Sequence, residues 1–388
     1  MNIKPDIASL HAEMTDWRRD IHAHPETAFE EVRTSQFIAD KLESFGIEIH
    51  RGLAGTGVVG IIKGNRGEGP AIGLRADIDA LDIHEQTNMP YASKIAGKMH
   101  ACGHDGHTAM LLGAAKHLAA TRNFAGTCYV IFQPAEENEA GGRVMVEDGL
   151  FDLFPMESVY GMHNWPGSPL GKVAMRVGPL MAACDIFEIV ITGRGGHGAM
   201  PHQTIDPIVI ASHVVTNLQT ISSRNTDPLK SVVVSVTQMH GGDAFNVIPE
   251  KVTLSGTVRA FEPEVQDMAQ ANIERIAKSV AAAHGATAEL RYERRYPPTV
   301  NAAEPTALAA EIASRVVGGD NVVTDATPVM GSEDFAYMLQ EKPGCYIWLG
   351  AGEDRAAVHN PAYDFNDEIL PIGASYWVEL TEDLLAAR

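Results

Sequence analysis

The order of hydrophobic and polar positions along the first part of the chain predicts alternating strands and helices. Apolar residues recur at helical spacing over residues 7–22 and 29–45, which predicts two amphipathic helices. Largely apolar runs bounded by glycine, proline or charged residues predict strands at residues 47–50, 57–62, 70–79, 126–132 and 158–162. Helical patterns also cover residues from about 110 to 120 and 143–148. This alternation predicts an α/β fold with a mainly parallel sheet and helices on both faces.

The pattern changes near residue 183. Strands are predicted at residues 186–191, 231–239, 252–261 and 287–292, and helices at 205–221 and 265–284. The resulting β-α-β-β-α-β order is that of a ferredoxin-like α+β module. Helix–strand alternation then returns at residues 304–317, 321–324, 333–340, 345–349 and 369–385. The sequence therefore predicts a first domain formed by residues 1–182 and 296–388, with residues 183–295 inserted as a second domain.

A glycine pattern near the N-terminus resembles a dinucleotide-binding fingerprint, but its context excludes that function. Residues 55–60 read GTGVVG, and acidic residues follow about 20 positions later, as the fingerprint requires. A helix must begin at those glycines if they are to bind a pyrophosphate. Here the β-branched residues Val58, Val59, Ile61 and Ile62 follow and predict a hairpin strand.

Composition narrows the classes of partner. The chain has 388 residues, 45% of them hydrophobic, and a net charge of -20, which disfavours binding to nucleic acid or to an anionic membrane. Its four cysteines are scattered without a C-x-x-C pair, which favours free thiols in a reducing compartment. No signal-peptide pattern and no apolar run of membrane-spanning length occurs, so we expect a cytoplasmic protein.

Residues 99–108, MHACGHDGHT, form the most unusual stretch of the chain. Cys102 and His104 lie on a predicted loop that leads into a helix, and a thiolate beside an imidazole suits a transition metal. The alternative is a polar loop with incidental histidines. The carboxylates and imidazole that follow other strands favour a metal site, because ligands bind at the carboxyl edge of open α/β sheets; these residues are Asp77, Asp79, Glu136, Glu137 and His163.

The number of potential donors predicts two ions. His359 also follows a strand, so it can return to the same edge of the sheet. Five potential ligands would then converge there: Cys102, His104, Glu137, His163 and His359. One tetrahedral ion needs fewer ligands, whereas two ions ~3.5–4 Å apart would use all of them and would lower the pKa of water between them. Glu136, beside the ligand Glu137, could then act as general base. Its alternative role is that of a solvated loop residue.

The inserted domain carries weaker candidates. His197 and His202 lie in a glycine-rich loop, where a histidine could donate to a developing oxyanion or could simply be exposed. Asn246 and Arg259 are polar residues within strand patterns. Arg259 could bind a substrate carboxylate with two hydrogen bonds, and the alternative for both residues is a solvated face.

At these segments the chain resembles the M20 metallopeptidase clan, and within it the aminoacylase-like amidohydrolases. That group includes hippurate hydrolases, N-acetyl-amino-acid deacetylases and plant indole-acetyl-amino-acid hydrolases. The resemblance covers nearly the whole chain and depends on RADIDAL at 75–81, MHACGHDGH at 99–107, FQPAEE at 132–137, GMHN at 161–164, GRGGH at 193–197, MGSEDF at 330–335 and HNP at 359–361.

The resemblance implies a di-metal catalytic domain with an inserted lid or dimerisation domain. It implies that Cys102 bridges two divalent ions, with His104, Glu137, His163 and His359 as the other ligands. Glu136 would be the base, and His197 would polarise the scissile carbonyl, often in the partner subunit's site. Substrate carboxylate binding is implied for Asn246, Arg259 and the backbone near Gly331.

Two positions depart from the wider clan. Asp77 stands where many members place a ligand histidine, and Cys102 stands where they place a bridging aspartate. A thiolate favours zinc, whereas relatives of this subgroup are often handled as manganese or cobalt enzymes, so zinc, manganese, cobalt and nickel stay open. We expect Asp79 to orient a ligand rather than to bind metal.

The predicted activity is hydrolysis of an N-acyl-L-amino acid to an amino acid and a carboxylate, by metal-bound hydroxide with Glu136 as base. We expect a small N-acylated amino acid as substrate, and a homodimer or homotetramer formed through the inserted domain. One alternative is a dipeptidase or aminopeptidase of the same clan, and another is a non-catalytic metal-binding protein. A third, a hydrolase that uses Cys102 as nucleophile, leaves Glu137, His163 and His359 unexplained.

Overall fold

A computed structural model describes residues 1–137 and 139–387. The chain divides into two compact units. Unit 1 comprises residues 1–180, 299–327 and 334–388, and unit 2 comprises residues 181–298 and 328–333. No helix among the described residues is both long enough and apolar enough to cross a membrane.

The helices and strands follow the alternation that the sequence predicts. The helices are α1 (Pro5–Ser9), α2 (His11–His22), α3 (Val32–Ser44), α4 (His104–Thr121), α5 (Gly141–Glu147), α6 (Leu150–Leu153), α7 (Pro207–Leu218), α8 (Pro263–Ala283), α9 (Ala303–Val317), α10 (Phe335–Glu341) and α11 (Leu370–Leu384). Short 3-10 segments lie at Pro201–Gln203, Gly319–Asn321 and Asp367–Ile369, and a π-helical turn lies at Ile221–Asn225. The predicted helix over residues 7–22 is interrupted at Leu10, which lies between α1 and α2.

The strands are β1 (Glu48–Arg51), β2 (Val58–Lys63), β3 (Ala71–Asp77), β4 (Thr127–Gln133), β5 (Ser158–Trp165), β6 (Val173–Ala174), β7 (Gly178–Met181), β8 (Ala183–Thr192), β9 (Gly196–His197), β10 (Val232–His240), β11 (Val247–Ile248), β12 (Lys251–Ala260), β13 (Thr287–Tyr296), β14 (Thr299–Asn301), β15 (Val322–Val323) and β16 (Gly344–Gly350). The β2 strand begins directly after Gly57 and contains Gly60, so this glycine pattern leads into a strand and not into a helix.

Unit 1 is built on an eight-stranded sheet in the order β1-β2-β4-β3-β5-β16-β6-β15. The pairs at its centre, β4–β3, β3–β5 and β5–β16, are parallel, whereas β1–β2 and β2–β4 at one edge are antiparallel. The central strands are buried along almost their whole length, which requires cover on both faces. This arrangement confirms the predicted α/β fold with a mainly parallel sheet.

Unit 2 has a four-stranded antiparallel sheet in the order β10-β12-β8-β13. The first and third of these strands along the chain are therefore central, as in a ferredoxin-like module. Helices α7 and α8 pack against one another and against this sheet, around a core that includes Ile189, Leu254 and Ile273. The β-α-β-β-α-β order that the sequence predicts is thus present.

Candidate metal centre and catalytic site

Cys102 and His104 are separated by a glycine whose backbone determines their placement. Gly103 has φ 100°, and a Cβ atom at this position would lie 2.2 Å from the Asn164 Nδ2 atom. Helix α4 begins at His104, so the prediction that this histidine lies on a loop is wrong. The apolar helical pattern begins later because the first turn buries polar side chains, including Asp105 and His107.

The His104 ring is oriented by Asp79. Its Nδ1 atom lies 2.9 Å from the Asp79 main-chain oxygen and 3.0 Å from Oδ1 of the same residue. Because Asp79 engages Nδ1, Nε2 is the ring nitrogen that remains for a metal ion. Nε2 is buried and has no hydrogen-bond partner among residues 1–137 and 139–387. A buried imidazole nitrogen of this kind fits a metal ligand.

His163 is fixed in a similar way on β5. The strand continues to Trp165, so His163 lies within it and not beyond its end as predicted. Its Nδ1 atom lies 2.6 Å from the Asn164 main-chain oxygen, which leaves Nε2 deprotonated and 3.3 Å from Cys102 Sγ. Burial, and then the neighbouring His107, hold the pKa of His163 well below its usual value. The ring is therefore neutral, as a metal ligand must be.

Glu137 and His359 complete the set of donors. His359 Nε2 lies 3.0 Å from Glu137 Oε1. The His359 main-chain N–H donates to the Ala101 carbonyl oxygen at 2.7 Å, which brings this distant segment to the Cys102 loop. The Glu137 N–H in turn donates to Asp79 Oδ2 at 2.9 Å. Asp79 therefore organises two of the predicted ligands at once.

Potential ligand atoms form overlapping groups around Cys102. Within each group the atoms lie within 4.8 Å of one another, and the groups are Cys102, His104 and His163; Cys102, Glu137 and His359; and His104, Glu136 and Glu137. The structure thus brings together all five predicted ligands, which come from separate parts of the sequence. Cys102 belongs to two groups, as a residue shared by two ions would.

The electrostatics of this cluster favour a cation. Burial lowers the pKa of His104, but the carboxylates of Asp77, Asp79 and Glu137 outweigh burial and raise the pKa to about 10. Burial, together with Glu137 and Glu136, raises the pKa of the Cys102 thiol well above its usual value. A thiolate here needs a neighbouring positive charge, which a metal ion supplies. The donors and their charges therefore fit divalent ions.

Glu136 lies beside the proposed ligands. Its side chain is 7% exposed, and Oε1 accepts a hydrogen bond from the Asp334 N–H at 3.4 Å. The preceding Ala135 has φ 54°, in the left-handed region, and its N–H donates to the Glu31 carboxylate at 2.9 Å. Glu31 is fully buried, and this contact fixes the loop from which Glu136 and Glu137 project.

Several residues that support the site were given no role from the sequence, among them Arg75, His107 and Asn164. Asp77 accepts from His107 Nδ1 at 2.6 Å and from Arg75 Nη1 at 2.7 Å, so both of its oxygens are engaged. His107 Nε2 accepts from the Asn164 N–H at 2.9 Å. Arg75 also donates to Asp334 at 2.9 Å. The signal for His107 was its position three residues after His104, which places both on one helix face.

The predicted residues of unit 2 form two separate local arrangements. Asn246 lies in a turn directly before β11, and not inside a strand as predicted; its carbonyl oxygen accepts from the Gly198 N–H at 2.7 Å. The exposed His197 lies on β9, which pairs with β11. His202 falls in the 3-10 segment that follows. Arg259 lies on β12 and donates to Ser332 Oγ at 2.8 Å, next to Gly331.

Known proteins resemble the chain over nearly its full length. Hippurate hydrolase from Campylobacter jejuni is 41% identical over 380 residues, which cover 98% of each chain. N-acetylcysteine deacetylase from Bacillus subtilis is 42% identical over 374 residues, which cover 96% of this chain and 97% of that protein. The crystal structure of Bacillus subtilis YXEP, described as a dinuclear metal binding peptidase from the M20 family, aligns with a TM-score of 0.85 at 38% identity, covering 98% of this chain and 100% of that one.

The family assignment follows from these matches together with the site. The sequence model that describes peptidase family M20/M25/M40 matches residues 73–383, a range that includes all five predicted metal ligands. The chain therefore belongs to peptidase family M20/M25/M40.

Proposed function

We propose that this chain is a metal-dependent amidohydrolase that cleaves the amide bond of N-acyl-L-amino acids to give a free amino acid and a carboxylate. The observation that carries the proposal is the cluster of potential metal ligands around Cys102, with Glu136 beside it. The named relatives act on hippurate and on N-acetylcysteine, and both of these substrates are N-acylated amino acids.

Two divalent ions fit the donor set. Cys102, His104, Glu137, His163 and His359 would hold these ions. The thiolate favours a softer ion such as zinc, and manganese, cobalt and nickel are the alternatives. Such ions, when bound, polarise a carbonyl group and make water a stronger nucleophile at neutral pH.

Glu136 is the proposed general base. Its carboxylate accepts a proton from the water that attacks the amide carbon, and it then donates that proton to the nitrogen of the departing amino acid. The Asp334 N–H and the loop held by Glu31 keep the carboxylate in place. A free amine leaves as a neutral molecule once it has received this proton, so one residue serves both steps.

Unit 2 supplies the proposed substrate contacts. We take residues 183–295 as a lid and dimerisation domain, and we propose a homodimer or homotetramer in which His197 polarises the scissile carbonyl of the partner subunit's site. Arg259, Asn246 and the backbone near Gly331 bind the substrate carboxylate. The Arg259 guanidinium is suited to this role because it can form two parallel hydrogen bonds to a carboxylate.

A substrate panel tests the proposal. Purified, metal-loaded protein is assayed with N-acetyl- and N-benzoyl-amino acids and with free-amine dipeptides of the same C-terminal residue. We expect N-acyl-amino acids to have the higher kcat/KM. Preference for the dipeptides would indicate a dipeptidase or aminopeptidase instead. Metal binding without turnover of any compound would favour a non-catalytic metal-binding protein.

A further inference from the structure

A cleft of about 300 Å³ opens beside Glu137 within unit 1. Its apolar lining comes from Ala28, Phe29, Ala80 and Leu81. The Phe29 side chain is 39% exposed, so its ring is available to a ligand. The volume lies at the lower end of the roughly 300–1,000 Å³ that small-molecule sites occupy.

The walls of this cleft are joined directly to the proposed metal centre. Ala80 follows Asp79, the residue that contacts both His104 and Glu137. Ala80 forms a β-bridge with Thr27, and its N–H donates to the Glu26 carbonyl oxygen at 2.8 Å. The next residue of this wall is bridged to Met99, near Cys102. The cleft and the ligands therefore share one hydrogen-bonded framework.

Glu31 connects the aromatic wall to the loop of the proposed base. Its Oε1 atom accepts from the Phe29 N–H at 3.1 Å and from the Ala135 N–H at 2.9 Å, and Oε2 accepts from Thr56 Oγ1 at 2.8 Å. Phe29 has φ 62°, a left-handed conformation that this contact helps to hold. A group bound against Phe29 is thus positioned relative to Glu136 through a single buried carboxylate.

The charge around the cleft restricts what can bind there. Glu30, Asp82 and Glu139 line it in addition to Glu137. Lys98 pairs with Glu30 at 2.8 Å, which compensates for one of these charges. The carboxylates of Asp82 and Glu139 still repel an anion, whereas an uncharged group meets no such penalty.

We propose that this cleft is the acyl subsite: it accepts an uncharged acyl group, aromatic or short, and rejects an acyl group that carries a second carboxylate. The proposal rests on the proposed amidohydrolase function. An amide bound at the cluster that includes Glu137 has its acyl chain on one side of the scissile bond and its amino acid on the other. The cleft beside Glu137 receives the acyl side, and the ring of Phe29 packs against an aromatic acyl group.

The experiment compares kcat/KM for N-benzoylglycine, N-acetylglycine and N-succinylglycine, which differ only in the acyl group. For the wild-type protein we expect the succinyl compound to be the poorest substrate. For Phe29→Ala we expect the benzoyl-to-acetyl ratio of kcat/KM to fall roughly tenfold, since apolar contacts discriminate by about this factor. Phe29→Leu, which keeps apolar volume, should show a smaller fall.

Charge removal and a matched aromatic control complete the design. Asp82→Asn, at an exposed position, should raise the succinyl-to-acetyl ratio several-fold. Phe151→Ala, on α6 and outside the cleft, should leave every ratio unchanged. Turnover by the wild-type protein with the same ratios in Phe29→Ala and Asp82→Asn would overturn the subsite assignment alone. No turnover of any of the three compounds would overturn the proposed function and the subsite together.

Discussion

The His104 Nδ1 atom lies 2.9 Å from the main-chain oxygen of Asp79 and 3.0 Å from its Oδ1 atom. The second carboxylate oxygen of Asp79 accepts the Glu137 N–H at 2.9 Å. One buried aspartate therefore selects the ring nitrogen that His104 offers to a metal and also fixes the backbone of a second ligand. Its effect on the metal is indirect, because its own polar atoms are engaged by protein groups.

Removal of this aspartate should weaken metal binding without removing a ligand. We expect Asp79→Ala to reduce metal affinity by about 10- to 100-fold, the usual effect of losing a group that orients a ligand. Titration of metal-depleted protein with the ion, followed by calorimetry, measures the change. Asp40→Ala serves as control, because Asp40 is exposed and contacts Gln36 on α3. Equal affinities in the wild type and Asp79→Ala would contradict the orienting role.

Loss of Glu136 should affect turnover far more than metal content. We expect Glu136→Ala to retain its ions and to lower kcat by at least about 100-fold, because it lacks the proton acceptor. Elemental analysis and steady-state kinetics on the same sample separate these effects. Glu136→Gln keeps the size of the side chain and should be similarly impaired. Near-normal turnover in either variant would refute the assignment of the base.

The thiol of Cys102 is proposed to act through metal and not as a nucleophile. We therefore expect a chelator to abolish activity and added divalent ion to restore it. Cys102→Ser should lower metal content and activity together, whereas Cys184→Ser, at a partly exposed position in unit 2, should change neither. Activity that persists in metal-depleted protein would revive the alternative of a cysteine nucleophile.

If His197 completes the partner subunit's site, two inactive variants should complement one another. Glu136→Ala and His197→Ala are each expected to have low kcat as homo-oligomers. After equal amounts are mixed under conditions that exchange subunits, one of the two sites in each mixed pair combines an intact Glu136 with an intact His197, and activity should rise to about a quarter of the wild-type value, as random pairing gives. No gain in mixtures whose exchange is verified by mass spectrometry would place both residues within one subunit.

A buried ion cluster predicts pH-dependent stability. His22 Nδ1 lies 2.8 Å from Asp105 Oδ2, and Nε2 lies 3.3 Å from Glu85 Oε1. Burial lowers the pKa of His22, but hydrogen bonds to Asp105 and Glu85 outweigh it and raise the pKa from 6.5 to about 9. The folded state therefore holds a proton that the unfolded state releases at lower pH, so this stabilisation is complete below pH 6.5 and is lost as pH rises through 9.

We expect His22→Gln to lower the free energy of unfolding by roughly 1–3 kcal/mol at pH 6 and by much less at pH 9.5. Thermal or urea unfolding at the two pH values measures the difference. His24→Gln is the matched control, because His24 lies two residues after the end of α2 and its ring is partly exposed. The same loss of stability at both pH values would show that His22 contributes by packing alone.

The hydrophobic pattern predicted the strands of the sheet in unit 1 except the two-residue β6, and it predicted the β-α-β-β-α-β order in unit 2. Potential metal ligands near the ends of predicted strands, together with the family resemblance, indicated Cys102, His104, Glu137, His163 and His359. The structure brings these residues together. Periodicity failed where polar residues are buried. The first turn of α4 holds His104 and is polar yet inaccessible, so an apolar pattern could not indicate that the helix begins there.

Supporting residues were harder to predict because their role depends on contacts between distant segments. Glu31 lies 104 positions before its partner Ala135, and it looks like an ordinary surface residue at the start of an amphipathic helix. Asn246 was misplaced because a two-residue strand follows it and gives no alternating pattern of its own. Sequence periodicity reports local exposure and carries no information on such long-range hydrogen bonds.

Gly103 has a consequence for how the metal centre can change over evolutionary time. The Asn164 side chain donates to the Cys102 carbonyl oxygen at 2.7 Å and accepts from the Tyr363 hydroxyl at 2.8 Å. Any Cβ at position 103 would displace the side chains of Asn164 and Tyr363. The residue at position 102 can be exchanged for another donor while this backbone stays as it is. A bulkier residue at position 103, by contrast, would require compensating changes at both Asn164 and Tyr363, so the two-residue spacing of Cys102 and His104 is more constrained than the choice of donor at position 102.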